Sequence, residues 1–296
     1  MRKQLGLLCI TLLVAFLAAG TTNSAPPRKR PPLSLRHVCV VLDPGHGERC
    51  ATRRTPFPDP GSHGTAPNGR TLYEAVVTWD VAMRTRRYLL GKGARVELTL
   101  VAPDGDYAPK GWGPQEFPTV PTDPNPNKGK ERYVWKLLRE VPDPETWREA
   151  LRSRASTGNQ CFVENKTEWD VYFISLHCDS TSPDLAGVSF YRGSDGGTGF
   201  AYFLRRELEK SRLQRRNLRT GEDWDVYKVA PYAVLEHTTN PDSYLIELGN
   251  LQSQAPDGTN PDLWRARNPK SRDRYAQVIV RALVNYVQEK ERKRRR

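Results

Sequence analysis

The stretch VVLDPGHGERC, residues 40–50, begins as an apolar strand and breaks at Pro44 and Gly45 just before it presents His46. Glycine lets the backbone turn tightly without a side-chain clash, so the run ends by delivering an imidazole on a turn. In open sheets with helical crossovers, ligands gather at the carboxyl ends of the strands. A strand that stops in this way sets both the fold class and the place to look for chemistry.

Outward from it, His37 to Leu42 reads as a short buried strand. Leu72 to Leu90 reads as a helix, with apolar positions at Val77, Val81, Tyr88 and Leu89, ended by Gly91 and Gly93. ARVELTLV (94–101) supplies another strand. A helix at about 144–157 precedes the strand DVYFISL (170–176), and AGVSFYR (186–192) gives a further strand before the helix GFAYFLRRELEKSR. SYLIEL (243–248) is the last strand, and a helix from about Asp273 to Lys290 closes the chain. Strands alternate with helices throughout, with no internal repeat and no second-domain boundary. The expectation is one α/β domain, a three-layer sandwich around a mainly parallel central sheet with flanking helices, over residues 37–290.

The flanks differ in character. Arg2 and Lys3 precede an apolar run from Leu5 to Ala19, and small residues follow it, the pattern of a cleaved secretory signal over residues 1–25. The run is shorter than the roughly 18 residues of a membrane span, so a retained anchor is not expected. PPRKRPPLSLR (26–36) is a proline-rich basic linker. Residues 103–142 crowd prolines, glycines and aromatic residues into a long surface insertion, in which Trp112, Phe117 and Tyr133 either line a groove or pin the loop to the body.

The formal net charge is +12, and loss of Arg2 and Lys3 with the leader leaves the chain basic. KERKRRR (290–296) concentrates the excess in a C-terminal tail, read over 291–296 as a solvated end or as an attraction for anionic envelope polymers. No base-stacking motif accompanies it, so nucleic acid is excluded as a partner. A monomer is the expected state. Of the five cysteines, Cys39, Cys50, Cys161 and Cys178 survive removal of the leader, an even number suited to an oxidising compartment. Cys50 and Cys161 fall in polar surroundings, and the reading pairs them; the alternative is four free thiols.

Three strands end in groups capable of chemistry: the first in His46, YFISL in His177, and SYLI in Glu247. Glu74, at the start of the following helix, points toward the same rim. Two imidazoles and a carboxylate from separate elements suit one zinc ion with an open position, which leaves Glu247 as the general acid/base. Each residue also has a plainer reading: a hydrogen-bonded structural histidine, or a helix-start glutamate favoured by the helix dipole. Glu247 is the hardest to set aside, because burying an unpaired carboxylate is costly. His63 and His237 are weaker candidates for substrate contact.

In order, VVLDPGHG, the segment Gly69 to Glu74, YFISLHCDS, GVSFYR and YLIELGN resemble the segments of the zinc-dependent N-acetylmuramoyl-L-alanine amidases of the bacterial Amidase_3 type. The resemblance covers about 37–290 apart from the insertion. It implies zinc held by His46, Glu74 and His177, with Glu247 catalytic, in hydrolysis of the amide joining N-acetylmuramic acid to L-alanine in peptidoglycan, by an exported enzyme of the periplasm or exterior. Arg154 also matches a family position. The chain departs from the pattern at Glu48, where a second glycine is usual, and at Asn250, which directly follows Gly249. The rivals are a zinc peptidase or amidase of the same fold acting on another amide, and a wall-binding protein without turnover.

Overall fold

The computed structural model describes residues 34–47, 59, 61–69, 71–101, 136–137, 147–180, 182–193, 199–211, 213, 232–255 and 257–296. The leader, most of the linker, nearly all of the insertion and Cys50 lie outside the described residues.

The central sheet takes β1 (Val38–Pro44), β4 (Arg95–Leu98), β7 (Asp170–Asp179), β8 (Ser189–Arg192) and β9 (Ser243–Asn250) in the order β4-β1-β7-β9-β8. All neighbours run parallel except β8, which pairs antiparallel with β9. Two small antiparallel ladders stand apart from it. One joins β2 (His63–Thr65) to β3 (Thr71–Tyr73), the other β5 (Leu100–Val101) to β6 (Lys136–Leu137).

Strand alternation divides the side chains between two cores. On β1, Val38, Val40 and Leu42 face the larger core, with Tyr172, Ile174 and Leu176 of β7 and Tyr244 and Ile246 of β9. That face is covered by α1 (Glu74–Leu90), α3 (Gly199–Ser211), α5 (Pro261–Arg267) and α6 (Pro269–Arg294). Cys39 and Val41 point the other way, with Val171, Phe173 and Leu245, against α2 (Trp147–Asn165) and α4 (Ala233–Glu236). The three-layer sandwich with a mainly parallel sheet is as the sequence predicts.

Several boundaries move for physical reasons. Leu35, assigned to the linker, is buried, and its backbone N–H donates to Lys92 O at 2.8 Å, so the packed body starts ahead of His37. The helix expected to stop at 157 runs to Asn165. Gly158 does not end it, because a β-carbon there would stand 2.4 Å from the Phe173 ring; the helix presses on the sheet at that point. Ala150, Arg154, Thr157 and Cys161 are its buried stripe, spaced by four, three and four. Cys161 is therefore fully buried on a helix rather than in polar surroundings, and its sulfur lies 3.0 Å from that of Cys39, which corrects the pairing with Cys50. The closing helix starts at Pro269, behind the Asn268 cap that accepts from Lys270 N, and continues through Arg294. The basic run is thus partly helical: Arg292 pairs with Glu289 and Arg294 with Asp170.

Candidate metal centre

The carboxyl ends of β1, β7 and β9 lie side by side at the middle of the sheet. Pro44 stands opposite Leu176, and His177 opposite Glu247. In-register neighbours on parallel strands project to the same face about 5 Å apart, so His177 and Glu247 share one side of the rim. Glu74 arrives as the first residue of α1, directed by the β2–β3 hairpin, and its backbone N–H donates to Ser62 O at 2.8 Å.

His46 sits beyond the end of β1 with φ +62°, in the left-handed region that favours glycine. The surroundings hold it there. Arg154 donates to Pro44 O at 2.5 Å and to His46 O at 2.9 Å, while the N–H of Gly47 reaches Asp59 O at 2.7 Å. The same guanidinium meets Asp43 at 2.7 Å. Asp43 also accepts from Thr99 and Ser175 at 2.5 and 2.6 Å. Burial by itself would raise the Asp43 carboxyl, but Arg154 and the two hydroxyls outweigh it and hold the group below the usual carboxylate range.

The ligating atoms of His46, Glu74 and His177 lie within 4.8 Å of one another. His46 Nε2 is 3.4 Å from Glu74 Oε2, His177 Nδ1 is 3.0 Å from Glu74 Oε1, and the two rings meet edge to face at 5.2 Å. Burial pushes the Glu74 carboxyl up, but attraction to His46 and the hydrogen bond from His177 reverse this and bring it down to about 2. It is a carboxylate at neutral pH, as a metal ligand must be. The other nitrogen of His46 meets Asp59 Oδ2 at 2.9 Å, an arrangement that fixes the orientation and tautomer of a ligating imidazole. Two glycines leave the space. A β-carbon on Gly45 would stand 2.6 Å from the His177 ring, and one on Gly61 2.7 Å from both Glu74 Oε2 and the His46 ring. The donor set, its ionisation and its clearance fit a divalent cation.

Glu247 is 6% exposed, within the run Tyr244 to Leu248. Tyr232 and Tyr191 stack edge to face at 4.8 Å on its side of the sheet, and the Tyr232 hydroxyl is pushed well above its ordinary value by burial, then by Tyr191 and the charge of Glu247. Asn250 has a structural task. Its side chain donates to Ser182 O and Leu185 O at 2.7 and 2.9 Å and so holds the loop that follows β7, while its own N–H goes to Asp262. His63 is exposed on the hairpin and lines a groove of about 1230 Å³ with Gly64, Leu251, Asn260, Leu263 and Trp264. The groove begins one residue from Ser62, whose N–H donates to Glu74 at 2.8 Å. His237 caps α4, exposed, and its carbonyl accepts from Asn159. Asp59 is the contributor that sequence reading missed, since it lies in a proline-rich stretch without periodicity.

A family model described as N-acetylmuramoyl-L-alanine amidase matches residues 40–285. The chain belongs to this family. As a member it is an enzyme, an amidase of peptidoglycan. The amidase is 27% identical over 296 residues to the germination-specific N-acetylmuramoyl-L-alanine amidase of Bacillus subtilis (strain 168), with 98% of each chain covered. Among solved structures it is similar to the N-acetylmuramyl-L-alanine amidase Ami1 of Mycobacterium smegmatis, with a TM-score of 0.55, 20% identity, and 86% of this chain and 99% of that one covered. It is also similar to the amidase AmiC2 of Nostoc punctiforme, with a TM-score of 0.53, 19% identity, and 85% and 98% covered. At these identities the two structures establish the fold. Among the described residues no helix is long and apolar enough to cross a membrane.

Proposed function

We propose that this amidase works with one zinc ion held by His46, Glu74 and His177, and that Glu247 is its general acid/base. The observation that carries the reading is the convergence of two imidazoles and an ionised carboxylate within 4.8 Å, beside a buried glutamate on the neighbouring strand. Zinc, when bound, supplies Lewis-acid polarisation of the scissile carbonyl and makes water acidic enough to attack near neutral pH. Glu247 takes a proton from the attacking water and passes it to the departing L-alanine nitrogen. Asp59 orients His46, and Arg154 fixes the backbone that carries it. The groove lined by His63, Leu251 and Trp264 includes none of His46, Glu74, His177 and Glu247 in its wall and offers a polymeric substrate a further surface on the side of the β2–β3 hairpin.

The leader pattern at 1–25 supports export to the periplasm or exterior, where the substrate is found. Lys293 and Arg295, both well exposed at the C-terminus, suit an attraction to anionic wall polymers.

The test is digestion of purified peptidoglycan followed by mass spectrometry, with and without a chelator and with each divalent metal restored in turn. Intact stem peptides with a free L-alanine amine, lost on chelation and restored best by zinc, are expected. Activity that survives complete metal removal overturns the metal mechanism.

A further inference from the structure

Cys39 and Cys161 are 122 residues apart in sequence, yet their sulfurs stand 3.0 Å apart, both side chains fully buried. They meet where β1 faces α2, among Val41, Val171 and Phe173. Glu97 of β4 offers a carboxylate oxygen within 4.8 Å of both, so the trio has the outline of a metal site. Two details argue against that use. Thiolates sharing one tetrahedral zinc at about 2.3 Å would stand roughly 3.7 Å apart, wider than found. Glu97 is also engaged by Arg95 Nη2 at 2.6 Å. Both are free thiols in the structure, with Asn165 Nδ2 3.7 Å from Cys161 Sγ, but their sulfurs stand closer than ordinary non-bonded contact among the apolar residues of this core and are placed for a covalent bond.

We propose that Cys39 and Cys161 are joined by a disulfide that staples α2 to β1 in the mature enzyme. The two thiols give up two protons and two electrons to the disulfide of a thiol–disulfide oxidoreductase, which is reduced to its dithiol as the new S–S bond forms. Both sulfurs are closed to solvent in the folded chain, so the exchange takes place during folding. The staple has a use at the metal centre. Arg154 lies seven residues before Cys161, about two helical turns, and it is Arg154 that holds the carbonyls of Pro44 and His46. Fastening the helix to the first strand fixes that guanidinium against the turn it supports. The bond needs only an oxidising milieu, so it stands or falls separately from the hydrolytic mechanism.

The full chain is refolded in a mixture of reduced and oxidised glutathione, alkylated in denaturant, digested without reduction, and mapped by mass spectrometry. The same map is made on protein exported to a bacterial periplasm. The expected result is a peptide containing Cys39 joined to one containing Cys161, two hydrogens lighter than the sum. The melting temperature should fall by about 5 °C or more on reduction with dithiothreitol, a fall absent in the double variant Cys39→Ala/Cys161→Ala. Alkylation of both residues in both preparations, or Cys161 linked to Cys50 or Cys178, overturns the proposal.

Discussion

Arg154 donates to Asp43 at 2.7 Å with the two side chains 1% and 0% exposed, and the same guanidinium takes the carbonyl of His46. One side chain thus neutralises a buried carboxylate and fixes the backbone of a metal-ligand candidate. Removing one partner of a buried pair strands the other charge, at about 3–5 kcal/mol. Arg154→Met is expected to lower unfolding free energy by that amount in urea titrations, and to weaken zinc binding as well. A loss of stability with metal affinity unchanged would separate the two roles.

The Asp43 carboxyl titrates below its unfolded value of roughly 3.9, because Arg154, Ser175 and Thr99 outweigh burial. In acid the unfolded chain therefore binds its proton first. The contribution of Asp43 to stability is complete above about pH 4–5 and drains away as the pH falls toward the lowered folded value. Urea midpoints of wild type and Asp43→Asn should differ most at pH 6 and draw together below about pH 4. A gap constant across that range would contradict the assignment.

Asp59 meets His46 at 2.9 Å on the side away from Glu74. Partners of this kind typically contribute 10- to 100-fold in metal affinity. Asp59→Ala should lose about that much in competition with a chromogenic chelator, with the circular dichroism spectrum unchanged.

At Gly45 a methyl group would stand 2.6 Å from the His177 ring and 2.7 Å from the backbone oxygen of Leu176. Overpacking at rigid sites costs about 1–3 kcal/mol, and here the softer neighbour is His177, a proposed ligand. Gly45→Ala is expected to melt lower and to purify with less than one equivalent of metal, as measured by elemental analysis.

Glu247→Gln keeps the shape of the side chain and removes its basicity. General acid–base groups commonly contribute 10²- to 10⁴-fold, so kcat should fall by about that factor while metal content stays at the wild-type level. Turnover undiminished would move the proton-transfer role to another group.

The strand ends were legible because chemistry interrupts an apolar run there: His46, His177 and Glu247 each close or punctuate a buried segment. Their convergence followed from the alternation of strands and helices. Glu74 could be placed because its helix begins at the same rim. What stayed hidden depends on contacts across the fold. Asp59 has meaning only beside His46, thirteen residues away through a segment without pattern. The full reach of α2, to Asn165 rather than 157, shows only in the fold, where Gly158 packs directly against the Phe173 ring. Cys161 was misplaced for the same reason, and its proximity to Cys39 emerged only once the second core was drawn.

The strand order has a consequence for how such enzymes diversify. In the proposed centre the two imidazoles come from the ends of β1 and β7, the carboxylate from the start of α1 and Glu247 from β9, while β4 and β8 occupy the two borders of the sheet. Sequence added where the chain leaves either border would leave these four residues in place, so what approaches the rim and what acts at it are carried by separate parts of the chain.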